Sequence, residues 1–141
     1  MSLDGAAFAW PVRVYWEDTD AGGVVYHAGY LRFLERARTE WLRARGVDQP
    51  RLREALDRVF VVTSMQIDFR RPARLDDQLS VSVRLLQCRR ASLLMAQSIR
   101  CGDALLIEAR VRAACVAASD FRPRPLPEPV RAALNGMENR E

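Results

Sequence analysis

Residues 15–38 read YWEDTDAGGVVYHAGYLRFLERAR, and this stretch decides how the rest of the chain can fold. It joins a run of β type, which ends in a cluster of acids, to a long helical pattern that begins near His27. Between them, Gly22 and Gly23 allow the backbone a sharp turn. A loop between two rigid elements can aim side chains without burying unsatisfied backbone, so this junction is the first candidate for a functional site.

The helical pattern predicts one long helix from His27 to about Arg45. Arg43 and Arg45 suit the negative end of a helix dipole, and Gly46 is a typical residue to follow a helix. At 1.5 Å per residue the helix is about 28 Å long, enough to cross a sheet. Its apolar face is formed by residues spaced three and four apart, namely Tyr30, Phe33, Leu34, Ala37, Trp41 and Ala44.

Alternating apolar and polar residues predict five strands. The first, Trp10 to Trp16, leads into the junction, and the others cover residues 59–69, 79–85, 93–101 and 105–116. Short connections between the last four predict an antiparallel meander. Residues 50–58 read as a short helix or an irregular connector with Leu52 and Leu56 as its contacts. In the second strand, one face is expected to hold Val59, Val61, Thr63, Met65, Ile67 and Phe69.

These parts have one arrangement that buries their apolar faces. The long helix must cover the sheet, which predicts an α+β fold with a five-stranded antiparallel sheet wrapped around a central helix. We expect one domain over residues 1–141, with an extended proline-rich tail from about residue 119 and a brief helix at 130–134. Open sheet edges invite pairing with a second chain, so a homodimer with a continuous sheet is expected.

Composition narrows the function classes. The chain has 141 residues, is 49% hydrophobic and carries a net charge of +4, with all 22 basic residues being Arg. Because these arginines are interleaved with 18 acids, solvated surface charge is favoured over nucleic-acid binding. Three cysteines in apolar segments indicate a reducing compartment. Without a signal peptide or an apolar run of about 18 residues, the sequence predicts a cytoplasmic protein without membrane insertion.

Several chemistries lack their usual residues. The run from Asp18 opens like a calcium loop, but its fifth and twelfth positions are Gly22 and Gly29, which supply no side-chain oxygen. One histidine and no C-x-x-C pair leave no zinc pattern. Neither a G-x-S-x-G elbow nor a glycine-rich phosphate loop is present. We therefore expect no metal and no cofactor.

What remains is the carboxylate of Asp20 beside the start of the helix. Together with the backbone N–H groups near Tyr26, His27 and Ala28 it could promote attack on a carbonyl. Asp18 and Asp20 could equally be helix caps or turn residues, and the residues alone favour neither interpretation. A lone histidine beside an aromatic, as His27 is, is more often a packed side chain than a catalyst.

The segment EDTDAGGVVYHAGY at 17–30, followed by FLERARTE at 33–40, resembles the 4-hydroxybenzoyl-CoA thioesterase family of hotdog-fold proteins. It is most similar to the acyl-CoA thioesterase subfamily associated with the bacterial Tol-Pal system, and the resemblance extends from about Trp10 to Pro127. It implies a hotdog fold, homodimers and often homotetramers. It also implies an acyl-CoA substrate, with acyl carrier protein as another possible partner.

The resemblance also implies roles for individual residues. Asp20 would be the nucleophile or general base, and the N–H near His27 would polarise the thioester carbonyl. Asp20 and His27 would thus be the catalytic residues, and Tyr26 would bind substrate. The remaining matches are an acyl-pocket wall at Val62 and Thr63 and a CoA phosphate site in the turn RRAS, with Arg89, Arg90 and Ser92. Some relatives carry a cation where this chain has Ala91. An ordinary exposed hairpin turn is an equally good interpretation of RRAS.

The expected function is therefore hydrolysis of an acyl-CoA thioester to a free acid and CoA. The alternative is a non-catalytic acyl-binding or scaffold protein in envelope or phospholipid assembly. A dehydratase on the same fold is a weaker choice, because its usual active-site pattern, centred on a histidine, is missing.

Overall fold

The computed structural model describes residues 8–137 and confirms an α+β fold with one five-stranded antiparallel sheet. A single 3-10 turn lies at Trp16–Asp18. The elements in chain order are β1 Phe8–Arg13, α1 His27–Ala44, α2 Gln49–Leu56, β2 Arg58–Phe69, β3 Gln78–Cys88, β4 Ser92–Cys101, β5 Ala104–Ala117 and α3 Glu128–Leu134.

The strand order is β1-β3-β4-β5-β2, so the predicted four-strand meander is wrong for β2. Only β3, β4 and β5 follow one another as neighbours, whereas β2 pairs with β5 at the far edge. The reason is the connection at residues 70–77, which is bound to the start of α1 instead of turning tightly. Val25 N–H donates to the Ala73 carbonyl at 2.9 Å, and Ala73 N–H donates to the Tyr30 hydroxyl at 2.9 Å.

The long helix α1 covers the sheet as predicted. It begins at His27 and ends at Ala44, and Gly46 follows with a φ of 82°. Val47 N–H donates to the Leu42 carbonyl at 3.0 Å, which satisfies one of the last carbonyls of the helix. Ala44 is exposed, contrary to expectation. The buried residues of α1 are Gly29, Tyr30, Phe33, Leu34, Ala37, Trp41 and Leu42.

The edge strand β2 contains a bulge at Thr63. Val62 is opposite Ala113 and Ser64 is opposite Arg112, so Thr63 has no partner residue on β5. One extra residue reverses the alternation of side chains from that point on.

The predicted face of β2 is therefore only half right. Met65 and Ile67 are opposite Val111 and Ala109, which are buried under α1. Val59, Val61 and Thr63 do not share that face. The residues of β2 that do are Phe60, Val62, Met65, Ile67 and Phe69.

Two smaller expectations are also wrong. The first strand ends at Arg13 and not at Trp16, because Val14 exchanges backbone hydrogen bonds with Asp76 and Asp77 in the 70–77 connection, each at 2.9 Å. Leu56 is 44% exposed and so makes little core contact, whereas Leu52 is buried.

The chain from residue 118 to Leu134, called here the C-terminal strap, runs back along the sheet. Arg124 N–H donates to the Cys115 carbonyl at 3.0 Å, and Leu126 N–H donates to the Arg90 carbonyl at 2.8 Å. The strap ends in α3, which begins at Glu128, two residues before the predicted start. Among residues 8–137, the search for a helix able to cross a membrane finds none.

Candidate active site

The loop between β1 and α1 folds into a miniature hairpin. Thr19 bridges Val25, Asp20 N–H donates to the Val24 carbonyl at 2.9 Å, and Gly23 N–H donates to the Asp20 carbonyl at 3.0 Å. Gly23 has a φ of 80°, a conformation that side chains disfavour. Asp20 consequently lies at the tip of a closed turn, a few residues ahead of the first turn of α1.

Asp20 and Asp18 have different environments. Asp20 is exposed, and its Oδ1 accepts a hydrogen bond from Gly22 N–H at 2.8 Å. Asp18 is buried, and its Oδ2 accepts from Tyr15 N–H at 2.9 Å. Neither carboxylate caps α1, whose N-cap residue, Tyr26, makes no capping bond with its side chain. Asp18 therefore shapes the loop, while Asp20 keeps its second oxygen accessible for chemistry.

The first turn of α1 presents two backbone donors. Tyr26 N–H, one of the three expected donors, is directed at the Asp18 carbonyl at 3.4 Å. Gly29 N–H donates to the Tyr26 carbonyl at 2.8 Å. The N–H groups of His27 and Ala28 have no acceptor within the described part of the chain. They stand at the positive end of the helix dipole, where they suit a carbonyl oxygen that develops negative charge.

The ring of His27 belongs to an aromatic cluster. It meets Phe69 edge-on with ring centroids 5.0 Å apart, and the Tyr26 ring is 5.8 Å away. Phe69 also lies 5.8 Å from Tyr30. The sequence identified Phe69 only as a strand residue. Its position at the last alternating site of β2, opposite the start of α1, is the signal that could have placed it here.

Tyr30, which the sequence identified only as a core residue, lies in the same aromatic cluster through Phe69. Its side chain is 3% exposed, and its hydroxyl accepts from Ala73 N–H. Burial raises the pKa of Tyr30 above its ordinary value; the bond from Ala73 opposes this, and the negative charges of Asp20 and Asp77 add to it.

The two residues expected to form an acyl-pocket wall have different surroundings. Val62 borders a cavity of about 140 Å³ between α1 and β2. Thr63 lies at the bulge, where its hydroxyl donates to the Arg112 carbonyl at 3.3 Å. The residues lining the cavity are Glu35, Arg38, Thr39, Leu42, Gln49, Phe60, Val62, Leu93, Met95 and Ala113.

This cavity lies well away from Asp20. The seven residue steps along β2 from Phe69 back to Val62 cover about 23 Å at about 3.3 Å per residue. In one chain, therefore, Val62 and Thr63 are not beside the Asp20 carboxylate.

The basic turn at residues 89–92 lies still farther from Asp20. Leu75 N–H donates to the Gly23 carbonyl at 3.4 Å, which places the start of β3 beside the Asp20 loop. The ten residue steps of β3, Gln78–Cys88, then extend over about 30 Å before the turn begins. Arg89 and Arg90 are exposed, and Ser92, half-buried, opens β4. Asp20 and the basic turn therefore lie at opposite ends of the sheet within one chain.

The described side chains give no indication of a metal site. Among residues 8–137, the search for groups of at least three His, Cys, Asp or Glu residues that could hold a metal ion finds none.

Comparison with known proteins identifies the family of this chain. Residues 14–134 match the model of the thioesterase-like superfamily. The chain is 44% identical over 131 residues to the acyl-CoA thioesterase YbgC of Haemophilus influenzae, covering 93% of this chain and 96% of that protein. It is 48% identical over 132 residues to the acyl-CoA thioester hydrolase YbgC of Escherichia coli, covering 92% and 97%.

Solved structures show the same fold. A probable thioesterase from Bartonella henselae superposes with a TM-score of 0.82 at 39% identity, over 86% of this chain and 99% of that one. A 1,4-dihydroxy-2-naphthoyl-CoA thioesterase from Synechocystis has a TM-score of 0.84 at 26% identity, over 93% and 97%. The expected hotdog fold and the expected class of enzyme, a thioester hydrolase, are confirmed. This chain belongs to the thioesterase-like superfamily of hotdog-fold proteins.

Proposed function

We propose that this protein hydrolyses acyl-CoA thioesters with the Asp20 carboxylate as nucleophile or general base. The observation that carries the proposal is the pairing of an exposed carboxylate at a closed turn with the open N–H groups of His27 and Ala28. The names of the similar YbgC proteins, an acyl-CoA thioesterase and an acyl-CoA thioester hydrolase, support the choice of substrate.

The chemistry can follow two routes that use the same groups. As a base, Asp20 removes a proton from water, the resulting hydroxide adds to the thioester carbon, and collapse of the adduct breaks the C–S bond and releases CoA thiolate. As a nucleophile, Asp20 displaces the thiolate to form an anhydride, which water then hydrolyses. In both, the helix-start N–H groups stabilise the oxyanion.

His27 contributes through its backbone in this proposal. Its ring packs on Phe69, whereas its N–H is open at the first position of α1. The N–H of Tyr26 is directed at the Asp18 carbonyl. Its ring is 61% accessible and can pack against a bound acyl or pantetheine group.

A homodimer would complete the site. Within the described residues β2 pairs on one side only, with β5, so its other edge can pair with a second β2. Antiparallel pairing about a two-fold axis would exchange the ends of the sheet, and the partner's basic turn would lie at the same end as Asp20. Val62 and Thr63 lie near the middle of β2, close to the expected axis.

A tetramer would use the other face of the sheet. A groove of about 500 Å³ there is lined by serines and by charges of both signs, among them Asp68, Arg100 and Glu108. A second dimer could bring unlike charges together across this face. Light scattering coupled to gel filtration should give two or four chains; a monomer at assay concentration would contradict both assemblies.

The decisive experiment replaces Asp20 by Asn, which keeps the acceptor for Gly22 N–H and removes the charge. We expect kcat for acyl-CoA to fall at least about a thousandfold, with an unchanged melting temperature. Glu17→Gln, an exposed acid in the same loop, is the matched control and should keep kcat within about twofold. Parental turnover by Asp20→Asn would rule out this mechanism.

The same assay, in which free thiol is measured, distinguishes a thioesterase from the alternative, a non-catalytic acyl-binding or scaffold protein. An acyl-binding or scaffold protein would bind acyl-CoA tightly without producing thiol at a catalytic rate. Acyl groups carried by acyl carrier protein are a second substrate class to test. A cytoplasmic location and a link to the Tol-Pal system stay predictions of this proposal.

A further inference from the structure

The basic turn is held from behind by the C-terminal strap. The Arg90 carbonyl accepts two hydrogen bonds, from Leu126 N–H at 2.8 Å and from Arg131 Nη2 at 3.1 Å. Arg131 Nη2 also donates to the Arg89 carbonyl at 3.4 Å. The next carbonyl, of Ala91, accepts from Cys115 N–H at 2.8 Å. Three consecutive carbonyls of the turn are thus directed toward β5 and the strap.

This arrangement determines where the N–H groups point. In a planar trans peptide the C=O and the following N–H point in opposite directions. The N–H groups of Arg90 and Ala91 are therefore directed away from the strap, in a turn whose Arg89 and Arg90 side chains are exposed. Two successive N–H groups that face away from the strap and two exposed guanidinium groups in the same turn are donors of the kind that bind phosphate.

Arg131 is itself held rigidly. It lies on α3 between Val130, which is 1% exposed, and Leu134, which is 0% exposed and anchors the helix in the core. The strap before α3 is anchored by Leu126, which is 4% exposed. A guanidinium on a docked helix, together with Leu126 N–H, therefore holds the carbonyls of an exposed turn. An unsupported loop tip would sample other orientations.

We propose that Arg131 is a positioning residue that holds the basic turn in a phosphate-binding conformation. The inference rests on the proposed function and goes beyond it, since it assigns a role to a residue outside the turn. Its ligand is the phosphate-bearing part of CoA. If Arg131 only stabilises an ordinary hairpin turn, its loss should change KM equally for thioesters with and without phosphate, or change neither.

The test compares two thioesters of the same acyl group. One is the acyl-CoA, and the other is the acyl thioester of N-acetylcysteamine, which lacks phosphate. For Arg131→Met, which keeps much of the stem and removes the donors, we expect KM for acyl-CoA to rise about five- to tenfold. kcat for acyl-CoA and both constants for the small thioester should stay within about twofold.

A matched control removes the same charge from the same strap. Arg124 pairs with Asp120 and donates to the Pro123 carbonyl, and its side chain makes no hydrogen bond to the turn within residues 8–137. Arg124→Gln should leave KM for acyl-CoA within about twofold. If it raises KM as much as Arg131→Met does, net charge and not positioning is responsible. Arg131→Lys, which retains a donor for the Arg90 carbonyl, should recover most of the lost affinity.

A double-mutant cycle separates positioning from direct contact with phosphate. If Arg131 acts through the turn, Arg131→Met should add less than about twofold to KM in an Arg89→Gln/Arg90→Gln background, where the turn has lost both of its cations. Full additivity, an unchanged KM in the single variant, or an equal loss on both thioesters would each overturn the inference. Melting temperatures report whether Arg131→Met has lost its fold; if so, Arg131→Gln is carried through the same cycle.

A protein that is not a thioesterase would give a different result from one in which Arg131 has no positioning role. If the parental protein hydrolyses neither thioester, the proposed function fails. Calorimetric titration of free CoA into the parental protein and Arg131→Met then still tests the inference, with weaker binding by the variant expected and equal binding contradicting it.

Discussion

The two ends of the sheet are built in different ways. At the Asp20 end, the loop closes through bonds between near neighbours, such as Asp20 with Val24. At the basic turn, the carbonyl of Arg90 is held by Arg131, 41 residues away in sequence. The Asp20 loop is held by residues of one short motif, so the motif can be recognised in the sequence. The support of the basic turn forms only when the strap has folded back onto it.

The two ends also differ in charge and in the part of the substrate they suit. In the proposed mechanism the carboxylate and the helix-start N–H groups act on the acyl carbonyl, while the exposed arginines bind the phosphates. Changes at the first end should therefore alter kcat for every thioester, and changes at the second should alter KM for thioesters that carry phosphate.

The largest expected effect at the turn comes from removing both cations. In Arg89→Gln/Arg90→Gln, KM for acyl-CoA should rise about a hundredfold, equivalent to about 2.7 kcal/mol, because two charge-assisted contacts are lost. Steady-state kinetics should show kcat unchanged. Arg51→Gln/Arg53→Gln removes two exposed charges from α2 and is the matched control. A fall in kcat without a change in KM would contradict the division between the two ends.

Tyr30→Phe tests a buried long-range bond at the Asp20 end. Its hydroxyl accepts from Ala73 N–H, 43 residues away, in a buried site. Losing this acceptor should lower the free energy of unfolding by about 1–3 kcal/mol, measured by urea denaturation. Tyr26→Phe, at an exposed ring, should change it by less than about 0.5 kcal/mol. If the two variants are equally stable, the 70–77 connection does not depend on Tyr30.

Tyr30→Phe should also change how the stability of the protein depends on pH. Burial raises the pKa of Tyr30 above 10.0, so above that pH the unfolded chain loses this proton before the folded one. The folded state then binds more protons, and stability falls as pH rises above about 10. Unfolding curves at pH 8 and above pH 10 should show a smaller loss for Tyr30→Phe than for the parental protein. Equal losses would mean that Tyr30 titrates normally.

The smallest expected effect concerns a local close approach. A Cβ added to Gly29 would lie 2.9 Å from Val25 Cγ1 and 3.7 Å from the Asp18 carbonyl oxygen. Gly29→Ala should therefore cost about 1 kcal/mol, despite the better helix propensity of alanine. In a Val25→Ala background, where the clashing methyl is gone, the same change should be neutral or stabilising. A loss of equal size in both backgrounds would place the strain elsewhere.

Sequence patterns predicted the elements whose signals are local. The residues of α1 repeat at helical spacing over four turns, and its end is marked by Gly46, so both bounds were predictable. The face of β2 was not, because the bulge at Thr63 is created by pairing with β5 and leaves no mark on the alternation. The pairing of β2 with β5 was not predicted either, because the 70–77 connection is held by Tyr30 and Val25, which are far from it in sequence.

The sequence by itself predicted the long helix, the five strands and the family, and the family resemblance then singled out Asp20 as the leading candidate for the site. These follow from periodicity and from a motif whose members interact with near neighbours. Tertiary structure alone decided that Asp18 is buried and Asp20 exposed, that Phe69 and Tyr30 surround the helix start, and that the basic turn lies about 30 Å away. Each depends on contacts between residues far apart in sequence, whose free energies no local pattern encodes.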